Sequence, residues 1–305
     1  MASYPVFQIT KGDWRSSTFF KILGTNIQTF IVSDPALFAH YISNFQTKSD
    51  DVFVVSYPKS GTTWVQEIVW QICNGGEVSE EKIGRRFPYL EYANAPGRLR
   101  RDFEALPNPR LIKSHLYANV IPKGSDENSR CKYIYVARNP KDIVVSYFYF
   151  VQSFTRLELN VENRFYGPWE FFVDLFIEGN VGYSKWTDHV LSWWQQRNDP
   201  TVLFLKYEDL QKDLPSNVRT IAKFLQKPLS DELINRIAEQ CTFKGMMKNS
   251  SNYKQTDEDD NIAQTLRKGV VGDWKNHFTP EMNERFDKEV IGKLSGSGLE
   301  FDYEL

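Results

Sequence analysis

The sequence predicts an α/β fold: a single domain over residues 1–305, with a mostly parallel central sheet flanked by helices. Three observations carry this expectation. Four short runs carry aliphatic, β-branched or aromatic residues side by side: DVFVVSY (51–57), LIKSH (111–115), KYIYVAR (132–138) and TVLFLKY (201–207). Such runs suit strands buried on both faces. Helical apolar spacing fills much of the chain between and after them, as parallel crossovers require. The first run also leads through Pro58-Lys59-Ser60-Gly61 directly into TTWVQEIVWQIC (62–73), giving strand, tight turn and helix in order.

The remaining elements follow along the chain. Residues 18–31 alternate around Gly24-Thr25-Asn26 and read as a small hairpin. DPALFAHYISNF (34–45) has helical spacing behind Asp34 as N-cap. After the third strand, Asn139 is a candidate N-cap with Pro140 at the first helical position. Helices are expected at 168–178, 183–196, 215–226, 230–240 and 280–294. The stretches 74–110, 155–166 and 243–278 read as irregular binding loops.

Composition limits the function. Lys plus Arg number 37 and Asp plus Glu 39, a formal net charge of −2. That balance argues against a general nucleic-acid or membrane-surface binder. The three cysteines (73, 131, 241) form no CxxC pair, so neither a zinc ribbon nor a disulfide framework is supported. The N-terminus lacks a basic then apolar leader, and the most apolar run, 143–154, falls short of the ~20 residues that span a bilayer. A cytoplasmic setting is therefore expected. Aromatic residues are 15% of the chain, enough to fill a core and line an apolar ligand pocket.

The most informative segment is Ser56-Tyr57-Pro58-Lys59-Ser60-Gly61-Thr62-Thr63-Trp64. Gly61 lets the backbone bend around an anion, and the amides that follow open a helix whose positive end faces the same point. Lys59 adds charge; Ser60, Thr62 and Thr63 add hydroxyls. The pattern is P-loop-like but not GxxxxGK[ST], because Lys59 precedes the only glycine. An ordinary helix N-terminus with hydroxyl caps is the plainer reading of this segment alone.

YPKSGTTW resembles the phosphosulfate loop of the cytosolic sulfotransferases, and further segments resemble that family in the expected order: KSH (113–115), ARNPKDIVVSY (137–147), KYEDL (206–210) and RKGVVGDWKNHF (267–278). The resemblance covers about residues 50–290. It implies transfer of the sulfuryl group of 3′-phosphoadenosine 5′-phosphosulfate (PAPS) to a hydroxyl or amine of a small lipophilic acceptor, leaving adenosine 3′,5′-bisphosphate (PAP). No metal is implied.

The roles come with the resemblance. His115 would take the acceptor proton, a task suited to a near-neutral pKa. Lys59 and Lys113 would stabilise charge on the leaving and sulfuryl oxygens. Lys113 lies in an apolar strand, where an unpaired ammonium is costly. Arg138, Ser146, Arg267, Lys268 and the Gly269 amide would hold the 3′-phosphate, although Ser146 is about 12 Å of helical rise past Arg138. Trp64, Phe243 and Tyr207 would surround the adenine, with Cys241 where the family usually has a small hydroxyl residue. Phe150, Tyr89 and Tyr183, with Lys113 and His115, would line the acceptor site. The loops 85–98, 155–166 and 245–265 would shape it, and Asp257 to Asp260 reads as a solvated flank. Segment 275–284 resembles the family's dimer motif, with Pro280 replacing its usual Val.

Two other readings compete. A nucleotide kinase would need a lysine after the glycine and a magnesium-holding Asp at a strand end, and Tyr207-Glu208-Asp209 is only a weak match. A binding-only carrier would not need Lys59, Lys113 and His115 together.

Overall fold

In the computed structural model, residues 4–93, 102–124, 129–153, 161–253 and 266–305 are described, side chains at 161, 250 and 251 excepted. The predicted loops 85–98, 155–166 and 245–265 lie partly outside these residues, and Asp257 to Asp260 wholly outside.

The N-terminal region is built from short antiparallel strands: β1 (Val6–Phe7), β2 (Thr10–Lys11), β3 (Trp14–Arg15), β4 (Phe19–Ile22) and β5 (Thr25–Gln28). The predicted hairpin is β4–β5, turning through Leu23 and Gly24 at positive φ. Helix α1 (Pro35–Asn44) starts as expected, with the Asp34 carboxylate accepting from the Leu37 amide at 2.9 Å.

The central sheet contains β6 (Val52–Ser56), β7 (Leu111–Ser114), β8 (Lys132–Ala137) and β9 (Val202–Lys206). All neighbours are parallel, in the order β7-β6-β8-β9. The chain leaves β6 for β7 on one side and later places β8 on the other, so the winding reverses between β6 and β8. Open α/β sheets bind ligands beyond the carboxyl ends of strands at such a point.

Both sheet faces are covered, which explains the continuous apolar runs. Val52, Val54, Ile134 and Val136 share one core with Val65 and Ile68 of α2 (Thr62–Cys73). Phe53, Val55, Tyr133 and Tyr135 point the other way, into a core with Ile143, Val144 and Tyr147 of α4 (Pro140–Ser153). The short helix α3 (Ile83–Arg86) adds to the α2 side. Each buried large apolar side chain contributes about 1.5–3 kcal/mol. Helices α5 (Trp169–Glu178) and α6 (Trp186–Trp194) extend the α4 side with Phe172, Phe176, Val190 and Trp193.

Four expectations are corrected. The strand expected at 201–207 ends at Lys206, and Tyr207–Lys212 forms helix α7, whose early Glu208 and Asp209 and late Lys212 suit the helix dipole. Helix α6 begins at Trp186 rather than 183, because Tyr183 and Ser184 are in the left-handed region. Stretch 243–278 is not wholly irregular: α8 (Leu214–Phe224) and α9 (Asp231–Gln240) are followed by α10 (Phe243–Met247), capped by the Thr242 hydroxyl. The last helix, α11 (Pro280–Glu289), ends earlier than expected and passes into a 3₁₀ turn at Ile291–Leu294. Pro280 occupies the first helical position behind Thr279, where a missing amide costs nothing.

Candidate active site

The carboxyl ends of all four central strands converge on one region. β6 delivers the 57–61 loop, β7 delivers His115, β8 delivers Arg138, and β9 delivers Tyr207.

The loop after β6 is held from within. Lys59 has φ 71° and Gly61 φ 101°. A Cβ on Gly61 would stand 2.7 Å from Tyr207 Cδ2, so both the backbone angle and the Tyr207 ring require glycine. Gly61 provides no side-chain cap, which leaves the opening amides of α2 for an external acceptor. The Thr62 hydroxyl lies 2.6 Å from Ser56 Oγ, and Thr63 is buried on the first turn. The Ser60 hydroxyl is buried without a hydrogen-bond partner among the described residues.

Lys59 Nζ sits 4.2 Å over the Phe150 ring, and Lys113 Nζ 4.5 Å over the Tyr89 ring. Burial pulls the Lys59 ammonium down to about 7, with further lowering from Lys113, Arg138 and Arg267. Four cations gathered in a buried region suit a polyanion.

His115 follows β7. Its Nδ1 lies 2.7 Å from the Ser56 carbonyl, which can only accept. Nδ1 therefore carries the proton, and Nε2 keeps its lone pair. Burial, then the Lys113 charge, hold the imidazole well below its ordinary pKa, so it is neutral near pH 7. The Tyr89 and Tyr183 rings meet its edges at 5.3 Å each, and their hydroxyls hydrogen-bond to one another.

The second cationic group lies around α4. The Asn139 side chain accepts from the Asp142 amide at 2.8 Å, the expected cap. The Arg138 guanidinium packs 4.2 Å over Tyr207 and donates to the Val270 carbonyl at 2.7 Å, while its Nε is buried without a partner among the described residues. Asp142, Ser146 and Phe150 are spaced i, i+4, i+8, and so share a face of α4. Asp142 on this face accepts from the Gly272 and Trp274 amides at 2.9 and 3.1 Å. Helical periodicity thus brings half-buried Ser146 to the side that faces the 267–274 segment.

On that segment, Arg267 and Lys268 both pair with Asp273 at 2.7 Å, and Arg267 Nε is buried without a partner among the described residues. Gly269 has φ 67°, and a Cβ there would come within 2.2 Å of the Phe243 ring. Trp64 packs edge-on to Tyr207 at 5.1 Å and donates its indole N–H to the Cys241 carbonyl at 2.7 Å. The Cys241 side chain is fully buried, so it meets Trp64 through its backbone.

A family model described as a sulfotransferase domain matches residues 49–298. This chain belongs to the sulfotransferase family. Sulfotransferase 1B1 of Canis lupus familiaris is 41% identical over 275 residues, covering 87% of this chain and 90% of that protein. Sulfotransferase 1C2 of Homo sapiens is 38% identical over 272 residues, with the same coverage of 87% and 90%. Among solved structures, retinol dehydratase in a complex with retinol and PAP aligns with a TM-score of 0.78 and 26% identity, over 98% of this chain and 99% of that one. Mouse sulfotransferase SULT7A1 complexed with PAP aligns with a TM-score of 0.71 and 31% identity, over 92% and 95% of the two chains.

Several residues of this sulfotransferase's site were not singled out from sequence. Glu91 is fully buried; its Oε1 accepts from the His115 amide at 2.7 Å and from Ser114 Oγ at 3.3 Å. Burial raises its carboxyl to about 7, against the lowering effect of the His115 amide. Gln211 donates to both the Tyr207 hydroxyl (3.0 Å) and the Gly269 carbonyl (2.9 Å), tying α7 to the cationic turn. Asp142 and Asp273 brace the same turn. Glu91, Asp142 and Asp273 are marked in the sequence only as acidic residues, which read equally as solvated surface, and Gln211 is not marked at all.

Proposed function

We propose that this sulfotransferase is a cytosolic enzyme that transfers the sulfuryl group of PAPS to a hydroxyl or amine of a small lipophilic acceptor of phenol, steroid or arylamine type, leaving PAP. The relatives solved with PAP, one of them with retinol, support this reading.

The donor set suits the nucleotide. The Ser60 hydroxyl and the Nε groups of Arg138 and Arg267 are buried donors without partners among the described residues. Gly61 and Gly269 let the Tyr207 and Phe243 rings pack directly against the backbone, where a Cβ would clash. Lys59, Ser60, Gly61, Thr62 and Thr63 would hold the phosphosulfate. Arg138, Ser146, Arg267, Lys268 and the Gly269 amide would hold the 3′-phosphate, and Trp64, Tyr207, Cys241 and Phe243 would surround the base. When bound, PAPS supplies a sulfuryl group on a good leaving oxygen.

The observation that carries the reading is the Nδ1 hydrogen bond of His115, which reserves Nε2 as a neutral base. With a sulfuryl group supplied by the donor and the bisphosphate departing as PAP, His115 Nε2 would take the proton that the acceptor gives up. Lys59 and Lys113 would offset the charge that develops on the transferring group and its leaving oxygen. Tyr89, Tyr183 and Phe150 give the acceptor an apolar wall. Segment 275–284 is our candidate for homodimer contact; a monomeric mass in sedimentation at micromolar concentration would overturn that part.

The decisive experiment supplies PAPS and a panel of phenols, steroids and arylamines, with and without chelator. Chelator-insensitive sulfonation of at least one acceptor is expected. Magnesium-dependent ATP turnover with no sulfonation would overturn the proposal.

A further inference from the structure

A buried carboxylate lies in the middle of the cationic turn. Asp273 is 3% exposed at its side chain, and Arg267 and Lys268 both reach it at 2.7 Å. A negative charge beside a phosphate site ought to weaken binding. The hydrogen bonds point the other way.

Asp273 takes one donor from each cation and leaves the rest. Oδ2 accepts from Arg267 Nη2, and the Nε of the same guanidinium is buried without a partner among the described residues. Oδ1 accepts from Lys268 Nζ, whose side chain is still half exposed and retains further donors. The carboxylate is itself anchored. Asn276 Nδ2 donates to Oδ1 at 3.0 Å. The flanking Gly272 and Trp274 amides are fixed by Asp142, which extends from α4.

Two adjacent long cations at a glycine turn repel each other and carry high rotamer entropy when unrestrained. A rigid carboxylate between them removes both costs before any ligand arrives. We propose that Asp273 is a positioning residue that holds Arg267 and Lys268 side by side for the 3′-phosphate, its preorganising effect exceeding its repulsion of that phosphate. This rests on the nucleotide placement proposed above. Asp273 acts through the two cations and need not touch the ligand.

Calorimetric titration with PAP and with adenosine 5′-phosphate separates the two ideas. Wild-type protein should bind PAP more tightly; equal affinities would overturn the 3′-phosphate assignment and this inference with it. Given that preference, Asp273→Asn should weaken PAP on the order of tenfold, the scale of a lost charge-assisted contact, and change adenosine 5′-phosphate binding by less than about twofold. In turnover assays, KM for the donor should rise while kcat and KM for the acceptor hold. In an Arg267→Ala/Lys268→Ala background, where only the repulsion is left, Asp273→Asn should no longer weaken PAP binding. Unchanged or tighter PAP binding by Asp273→Asn would show that the carboxylate merely opposes the phosphate, and would overturn the inference. Should Asp273→Asn not fold, Asn276→Ala, which removes one anchor of Oδ1, must weaken PAP selectively in the same direction. An unaltered preference in that variant would also overturn it.

Discussion

His115 and Ser56 meet across two neighbouring strand ends: the imidazole Nδ1 donates to the Ser56 carbonyl at 2.7 Å. Ser56 is the last residue of β6, the strand that enters the phosphate loop, so one hydrogen bond joins the proposed base to the proposed anion site. Replacing His115 by Ala should lower kcat by about 10²–10⁴, the usual contribution of a positioned base. PAP affinity should stay near wild type, because His115 is not among the proposed phosphate ligands. Steady-state kinetics beside calorimetric PAP titration would check this. Near-normal turnover in His115→Ala would remove the base assignment.

Lys59 gives a proton-linkage prediction. Its folded pKa is about 7, below the ordinary lysine value of 10.5, chiefly through burial and then through its cationic neighbours. Between those values the unfolded chain binds the extra proton, so the Lys59 contribution to stability rises with pH from about 7 to 10.5. A polyanion bound beside Lys59 favours the ammonium. PAP binding at pH 8 should therefore take up protons, seen as a buffer-dependent heat in calorimetry. Lys59→Met should lose that uptake, and a wild-type heat independent of buffer would contradict the account.

Glu91 has the opposite dependence. Its carboxyl is raised from 4.5 to about 7, mainly by burial. The folded state then holds the proton more tightly, and the Glu91 contribution falls as pH rises from 4.5 to 7. Glu91→Gln keeps an acceptor for the His115 amide but has no charge to bury. Denaturant titrations at pH 5 and pH 7.5 should show a smaller loss on going to the higher pH than in wild type.

Gly61 is a test of the loop. Ala at this position meets the Tyr207 ring at 2.7 Å and must adopt φ near 101°. Strain of this kind costs about 1–3 kcal/mol. Gly61→Ala should lower the midpoint of thermal unfolding and weaken PAP binding at least tenfold, on the order of 1.4 kcal/mol or more. Gly61→Ala together with Tyr207→Ala should recover part of the stability, since only the clash is relieved.

The strands and most of the helices were legible because their signals are local. Residues 52–55 are apolar at every position, which demands burial on both faces. Asn139-Pro140 marks a helix start through its own cap chemistry. The corrections arose where local signals compete. Tyr207 continues a β-like run, but Glu208 and Asp209 favour a helix start, and the helix prevails. Tyr183 and Ser184 fit helical spacing, yet both are left-handed, with the Tyr183 amide donating to the Asn26 carbonyl at 2.8 Å.

The sequence alone determined the α/β class, the strand-loop-helix at 51–73 and the ordered motifs that place the chain in its family. Each depends on residues adjacent in the chain, or on residue types that a motif records directly. Tertiary structure alone decided the strand order β7-β6-β8-β9, and with it the gathering of Lys59, His115, Arg138 and Tyr207 at one edge. It also gave roles to Glu91, Gln211, Asp142 and Asp273. Such a role depends on which donor lies opposite, and Asp142 and Gly272 are 130 residues apart. An acidic residue in a sequence carries no mark of whether it faces water or two cations; only the fold supplies the partner.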